Sequence, residues 1–214
     1  MSEQHALTAV ILAGGQSRRM GVDKALLRLA SGGPTLIERV VAAARAVTDD
    51  VVIVAEDAGR LPPMPVRTAP DAIAWAGPLA GLVAGFAAAQ HLNILALACD
   101  LPYLSVPLLR WMAALPRTWD ALVPCRPNDG KTGWEPLHAI YTRACLVTMR
   151  AALDRGDRQA TAFFPAINVR PLTADAMQPY DPLGRSTESV NTPEAWAEAA
   201  RWLRQQSDAI LRDE

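Results

Sequence analysis

Short β runs alternate with helical periods along most of this chain, and that alternation leaves few architectures open. Thr8-Ala9-Val10-Ile11-Leu12 is an apolar run that stops at Gly14-Gly15. Leu36, Val40, Ala44 and Val47 then recur at helical spacing, as do Ile37 and Val41. Val51 to Val54 is a second strand signal, and Val66 to Ala69 a short third. Gly77-Pro78 opens a helix whose inner face is Leu79, Leu82, Val83 and Phe86. Ile94 to Ala98 is the next strand, and Ser105 caps a helix facing inward through Leu108, Trp111, Met112 and Leu115. Ala121 to Val123 is a further strand. From Gly130 to Val190 the pattern is less regular, with a strand at Leu137 to Tyr141 and a helix over about Arg143 to Leu153. A last helix follows Asn191-Thr192-Pro193, burying Trp196, Ala199, Ala200 and Leu203. A βαβα order predicts a three-layer α/β/α, Rossmann-like fold with a mostly parallel sheet and helices on both faces.

Composition narrows the class. At 214 residues the chain has the length of one sizeable domain, and with half its residues hydrophobic it can bury a core without staples. With no linker or repeat in view, the expected organisation is a single domain over 1–214, in two halves at about 8–125 and, with the C-terminal helix, about 126–214. The 21 basic and 22 acidic residues leave a net charge of −1, which gives no support to nucleic-acid binding. Cys99, Cys125 and Cys145 form neither a disulfide framework nor a zinc pair, which fits a reducing cytoplasm. No export signal is read at Met1 to His5. The most apolar stretch, Ala76 to Ala89, is too short and too glycine-rich to span a bilayer. The expectation is a cytoplasmic protein that engages no membrane.

In open parallel sheets, ligands bind beyond the carboxyl ends of the strands. After the first strand comes Gly14-Gly15-Gln16-Ser17-Arg18-Arg19, then Lys24. Glycines let backbone amides approach an anion, and Arg18, Arg19 and Lys24 supply positive charge. The spacing is neither GxxxxGK[ST] nor GxGxxG. The plain alternative is a tight turn with solvated cations. Asp100 ends a fully apolar strand, where an isolated carboxylate is costly. It is either a turn cap near Pro102 or a Mg²⁺ ligand, since one carboxylate plus phosphate oxygens and waters is a usual Mg²⁺ arrangement. A glycine nest, a lysine and a strand-end aspartate together point to nucleotide chemistry.

Leu12-Ala-Gly-Gly-Gln-Ser-Arg-Arg-Met-Gly-Val-Asp-Lys24 resembles the LAGGxSxRMGxDK signature of molybdenum cofactor guanylyltransferases. Asp71 with Gly77-Pro78-Leu79-Ala80-Gly81, Cys99-Asp100-Leu101-Pro102-Tyr103, and Val190-Asn191-Thr192-Pro193-Glu194 resemble further elements of that family in order and spacing. The resemblance implies a nucleotidyltransferase fold and Mg²⁺-dependent transfer of GMP from GTP to the phosphate of molybdopterin, giving molybdopterin guanine dinucleotide and pyrophosphate. It implies nucleotide contacts from Leu12, Ala13, Gly14 and Gly15, phosphate binding by Lys24 with Arg18, nucleotide reading by Asp71, and Mg²⁺ held by Asp100. Asn191 is a weaker metal or phosphate contact, its alternative being to cap the last helix. Cofactor-biosynthesis proteins and chaperones of apo-molybdoenzymes are the implied protein partners. Cytidylyl relatives read LAAG where this chain reads LAGG, so Gly14 is expected to leave room for a purine.

Other readings separate from this one. A cytidylyltransferase or a sugar- or alditol-phosphate nucleotidyltransferase would share the fold. A non-catalytic cofactor-binding accessory protein would not need Lys24 and Asp100. A dinucleotide-binding dehydrogenase fails because Glu56 lies about 40 residues beyond Gly15 rather than about 20. In the acceptor half, Trp134 is read as a pterin stack or a packed side chain, and His138 as a phosphate contact or a strand residue. Arg155, Arg158 and Arg170 are read as anion contacts or a solvated face. Cys99 is a packed thiol, Trp75 a core or rim residue, and His5 part of a frayed end.

Overall fold

The computed structural model describes residues 6–14, 23–30, 32–71, 77–128 and 131–210. An eight-stranded sheet runs through them, in the order β3-β2-β1-β4-β7-β5-β6, with β8 also paired to β5. The parallel part is β1 (Leu7–Leu12), β2 (Asp50–Ala55), β3 (Arg67–Pro70) and β4 (Asn93–Ala98). β7 (His138–Thr142) turns antiparallel to β4 and to β5 (Ala121–Asn128). β5 then makes a hairpin with β6 (Lys131–Trp134) and runs parallel to β8 (Val169–Leu172).

Strand alternation divides the core into two layers. Ala9 and Ile11, Val51 and Ile53, Leu95 and Leu97 face one side, with α1 (Leu36–Arg45) and α3 (Val106–Ala114) packed over them through Ile37, Val40, Leu108 and Met112. Val10 and Leu12, Val52 and Val54, Ile94 and Ala96 face the other, under α2 (Pro78–Ala88) and α4 (Cys145–Asp154). Each large aliphatic chain buried this way contributes about 1.5–3 kcal/mol. A reciprocal cap starts α1: the Thr35 amide donates to Glu38 at 2.7 Å while the Glu38 amide donates to the Thr35 hydroxyl. α2 comes unusually close to β1, because a Cβ on Gly85 would stand 2.2 Å from a methyl carbon of Val10. At its start Gly77 adopts φ 80°, and the Arg158 carbonyl accepts the Leu79 amide at 3.3 Å.

The predicted elements recur with shifts of a residue or two at most ends, and the sheet is parallel throughout its first half, while in the second only the β5–β8 pairing is parallel. β5 extends five residues beyond the expected Val123, to Asn128, because Pro124 and Pro127 mask its strand signal. β6 and β8 are strands that periodicity does not announce. β8 is four residues long with two of them exposed, so it carries no alternation. A short α5 (Ala174–Met177) and a long α6 (Pro193–Ile210) complete the chain. α6 packs Ala199 and Ala200 against Leu29, Leu36, Tyr103 and Val190, with Trp196 and Leu203 half-buried at the margin. No helix among the described residues is long and apolar enough to cross a membrane.

Candidate nucleotide site

The four parallel strands bring their carboxyl ends to one edge, and a cavity of about 350 Å³ opens there. β1 supplies Leu12 and Gly14, β2 supplies Val54 and Glu56, and Asp71 follows β3. β4 supplies Ala98, and Cys99 and Asp100 follow it. Gly77, Pro78 and Gly81 at the start of α2 form the wall facing them. Backbone bonds fix this edge: Ala13 N–H donates to Val54 at 2.9 Å, Cys99 N–H to Leu12 at 3.1 Å and Asp71 N–H to Ala55 at 3.3 Å.

Lys24 stands at one end of the site on a short 3₁₀ turn, Lys24–Leu26, capped by Asp23 Oδ1 accepting from the Ala25 amide at 3.1 Å. Its Nζ donates to Asn191 Oδ1 at 2.6 Å and lies 3.9 Å from Asp100 Oδ2. Both charged side chains are mostly buried, 17% and 20% exposed. Burial pushes the Asp100 carboxyl above the usual carboxylate range, and the Lys24 charge pulls it partly back. The Asp100 carbonyl also accepts from the Val190 amide at 3.0 Å, which tethers the segment carrying Asn191 to the end of β4.

So the structure brings Leu12, Gly14, Asp71 and Asp100 onto one cavity, with Ala13 in the backbone beneath it and Lys24 beside Asp100. Gly15, Arg18, Arg19, Trp75 and His5 lie outside the described residues. Asn191 does not cap α6: Thr192 does, its hydroxyl accepting from the Ala195 amide at 3.2 Å and its carbonyl from Trp196 at 3.0 Å. Asn191 is thereby left to bind Lys24. A Cβ on Gly14 would lie 3.7 Å from Asp71 Oδ2, so Gly14 leaves a methyl-sized space between that carboxylate and the backbone. Glu56 is a lining residue that motif reading passes over except as a misplaced ribose acid. Its signal was positional, as the residue directly after a parallel strand.

For two acceptor-side residues the structure favours the packed alternative. His138 is 1% exposed and its Nε2 shares a 2.8 Å hydrogen bond with Ser186 Oγ, so it contacts no exposed phosphate site. Trp134 packs edge-on against Phe164 at 5.6 Å rather than standing free as a stacking platform. Arg155 pairs with Asp157 at 3.2 Å. Cys99 has its thiol pushed up to about 12, first by burial and then by Asp100 and Asp23, consistent with a packed, unreactive side chain.

Residues 9–169 match the MobA-like NTP transferase domain. A "Probable molybdenum cofactor guanylyltransferase" of Chloroflexus aggregans is 35% identical over 190 residues, covering 88% of this chain and 90% of the relative. A molybdenum cofactor guanylyltransferase of Desulfosudis oleivorans is 33% identical, covering 88% and 92%. Among solved structures, molybdopterin-guanine dinucleotide biosynthesis protein A of Archaeoglobus fulgidus superposes with a TM-score of 0.77 at 23% identity, covering 92% of this chain and 99% of that one. With a cavity at the carboxyl edge of its parallel strands and this match over most of its length, the chain belongs to the MobA-like NTP transferase family and is a nucleotidyltransferase.

Proposed function

We propose that the chain transfers GMP from GTP to the phosphate of molybdopterin in a Mg²⁺-dependent reaction. The observation that carries this reading is the Lys24–Asp100 pair: a cation and a mostly buried carboxylate 3.9 Å apart, at the edge of a cavity walled by backbone and small residues. An acceptor phosphate oxygen attacks the α-phosphorus, the bond to the bridging β-oxygen breaks, and pyrophosphate leaves. The attacking oxygen is already anionic at neutral pH, so alignment and charge neutralisation do the catalysis. Lys24 binds the triphosphate, with Arg18 as its partner. The donor set fits a hard cation held by a single carboxylate: Asp100 is short of full burial and keeps an oxygen beside Lys24, leaving the remaining positions to phosphate and water. When bound, Mg²⁺ supplies positive charge to the phosphate oxygens. Asn191 acts here by holding Lys24 in place.

The order of the strands supports one orientation of the nucleotide. Asp100 and Lys24 mark the phosphate end beside β4, so the base lies toward β2 and β3, against Glu56 and Asp71. Ionised carboxylates only accept hydrogen bonds. Guanine offers two donor groups on its pairing edge, N1–H and the 2-amino group, where cytosine offers one. Two acceptors beside an unobstructed Gly14 therefore support guanine. A cytoplasmic location, and delivery of product to cofactor-biosynthesis proteins or chaperones of apo-molybdoenzymes, belong to the same proposal.

The test is thermal stability with GTP, CTP, ATP and UTP, each with and without Mg²⁺. A ligand at 100 times its Kd adds about 2.7 kcal/mol, a shift of several degrees at this size. A GTP-selective shift enlarged by Mg²⁺ is expected, followed by GMP transfer onto molybdopterin. A CTP preference overturns the base assignment, and no shift with any nucleotide overturns the transferase reading.

A further inference from the structure

We infer that Arg60 is a positioning residue of the nucleotide site, a guanidinium fork that fixes the exit of β1 and the turn bearing Lys24 to one another. Its Nη2 donates to the Ala13 carbonyl at 2.6 Å, and its Nη1 pairs with Asp23 Oδ2. Asp23 is thus held by both oxygens, since Oδ1 caps the Lys24–Leu26 turn through the Ala25 amide. Arg60 has a fixed base of its own. It ends a short 3₁₀ turn, Ala58–Arg60, that begins three residues after Ala55, the end of β2, with Asp57 Oδ1 capping the Gly59 amide at 2.9 Å.

One side chain therefore joins three pieces of the site: the exit of β2, the exit of β1 and the lysine turn. Its grip on the Ala13 carbonyl has a second consequence. The Ala13–Gly14 peptide is trans, and in a trans peptide the carbonyl and the next N–H point in opposite directions. Arg60 on the Ala13 oxygen therefore directs the Gly14 N–H away from itself, at the residue that lines the cavity. Lysine cannot do this work, because an ammonium lacks the planar fork that reaches two acceptors in fixed directions. The side chain is about one-third exposed, so its role is local geometry and not core packing.

This inference rests on reading Lys24 and Gly14 as nucleotide contacts, and the experiment separates the two. The chain contains two lysines, Lys24 and Lys131, so protein made with isotope-labelled lysine gives two side-chain signals by nuclear magnetic resonance, assigned with Lys131→Arg. Those signals are followed in wild type, Arg60→Met, Arg60→Lys (whose added lysine gives a third signal, assigned by difference from wild type) and Asp23→Asn, the last keeping an oxygen for the turn cap while weakening the ion pair. Binding of a fluorescent GTP analogue with Mg²⁺ and the denaturation midpoint are measured on the same samples. The expected result is a Lys24 signal displaced toward that of free lysine in all three variants, with Lys131 unmoved. Nucleotide Kd rises at least tenfold in Arg60→Met and less in Arg60→Lys, while the midpoint moves by no more than a few degrees. A Lys24 signal unchanged in Arg60→Met and Asp23→Asn overturns the inference, even if stability falls. If the wild-type chain binds no GTP, the functional reading falls, and the Lys24 signal still decides for or against Arg60.

Discussion

Along β1 to β4 the strands are parallel, and the carboxyl end of each contributes to or leads into a residue lining the cavity; along β5 to β8 pairing is mostly antiparallel, and the polar side chains face one another. Gly14, Glu56, Asp71 and Asp100 all sit just past a parallel strand. In the second region, His138 bonds Ser186, Arg126 bonds Thr187, and Asp181 accepts from the Ser186 amide at 2.9 Å. Those contacts hold the segment from Tyr180 to Thr187 against the sheet. The difference is one of direction: the first region gathers its polar groups around a cavity, the second turns them toward its own chain. Catalytic effects should therefore concentrate in the first region and effects on stability in the second.

The largest effect is expected at Asp100. Asp100→Asn should lower GMP transfer at least about 100- to 1,000-fold, the range for removing a charge-stabilising group. Because burial holds this carboxyl above its ordinary range, between the unfolded and the raised value the folded form keeps a proton that the unfolded form gives up. The wild type is thus destabilised as pH rises from the unfolded value through the raised one, and Asn removes that cost. Asp100→Asn should therefore melt at or above the wild-type temperature at neutral pH. A loss of both activity and stability would make Asp100 a structural residue. Lys24→Ala comes next, with transfer down one to several orders of magnitude. Full activity in either variant would end the division between the two regions.

The same contrast explains what could be read in advance. The strands β1, β2 and β4 are continuous apolar runs because both faces are covered, and the residues just beyond them stand out as the first chemistry-bearing side chains in each segment. Leu12, Gly14, Asp71, Asp100 and Lys24 could be named for that reason, and for their motifs. β6 and β8 could not, since their pairing depends on partners distant in sequence and their own residues show no period. Asn191 was legible as a residue of interest but not in its role, because its contact with Lys24 crosses 167 positions. Arg60 lay in no motif at all. Only the fold brings it between Ala13 and Asp23.

A smaller effect sharpens the base assignment. Gly14→Ala adds a methyl 3.7 Å from Asp71 Oδ2, an ordinary contact that needs no rearrangement of the fold. Stability should be unchanged, and GTP affinity should fall several-fold more than CTP affinity in a binding titration. Equal losses would mean that Gly14 does not set the room for the base.

The smallest effect on catalysis is expected at His138, and it probes the second region directly. Burial holds its imidazole down to about 4, against an ordinary value near 6.5, with Arg126 lowering it further and Asp181 opposing. A histidine kept neutral in the fold contributes stability that is complete above the unfolded value and lost as pH falls through 6.5 toward 4, because the unfolded chain takes up the proton first. Each pH unit in that window costs up to about 1.4 kcal/mol, or about 3–6 °C of melting temperature at this size. His138→Leu cannot titrate, and Ser186 keeps the Ser105 amide as a partner at 3.0 Å. Wild type and variant should therefore converge in melting temperature, or reverse in order, as pH drops from 6.5 to 4.5. Transfer at pH 7.5 should stay within about twofold, with the acceptor KM unmoved, because a side chain 1% exposed and bonded to Ser186 has no face for a substrate. Parallel pH dependences would show that His138 takes up its proton in the fold as readily as in the unfolded chain. A tenfold rise in acceptor KM would show the second region pointing at a ligand after all, and the contrast between the two would have to be redrawn at β7.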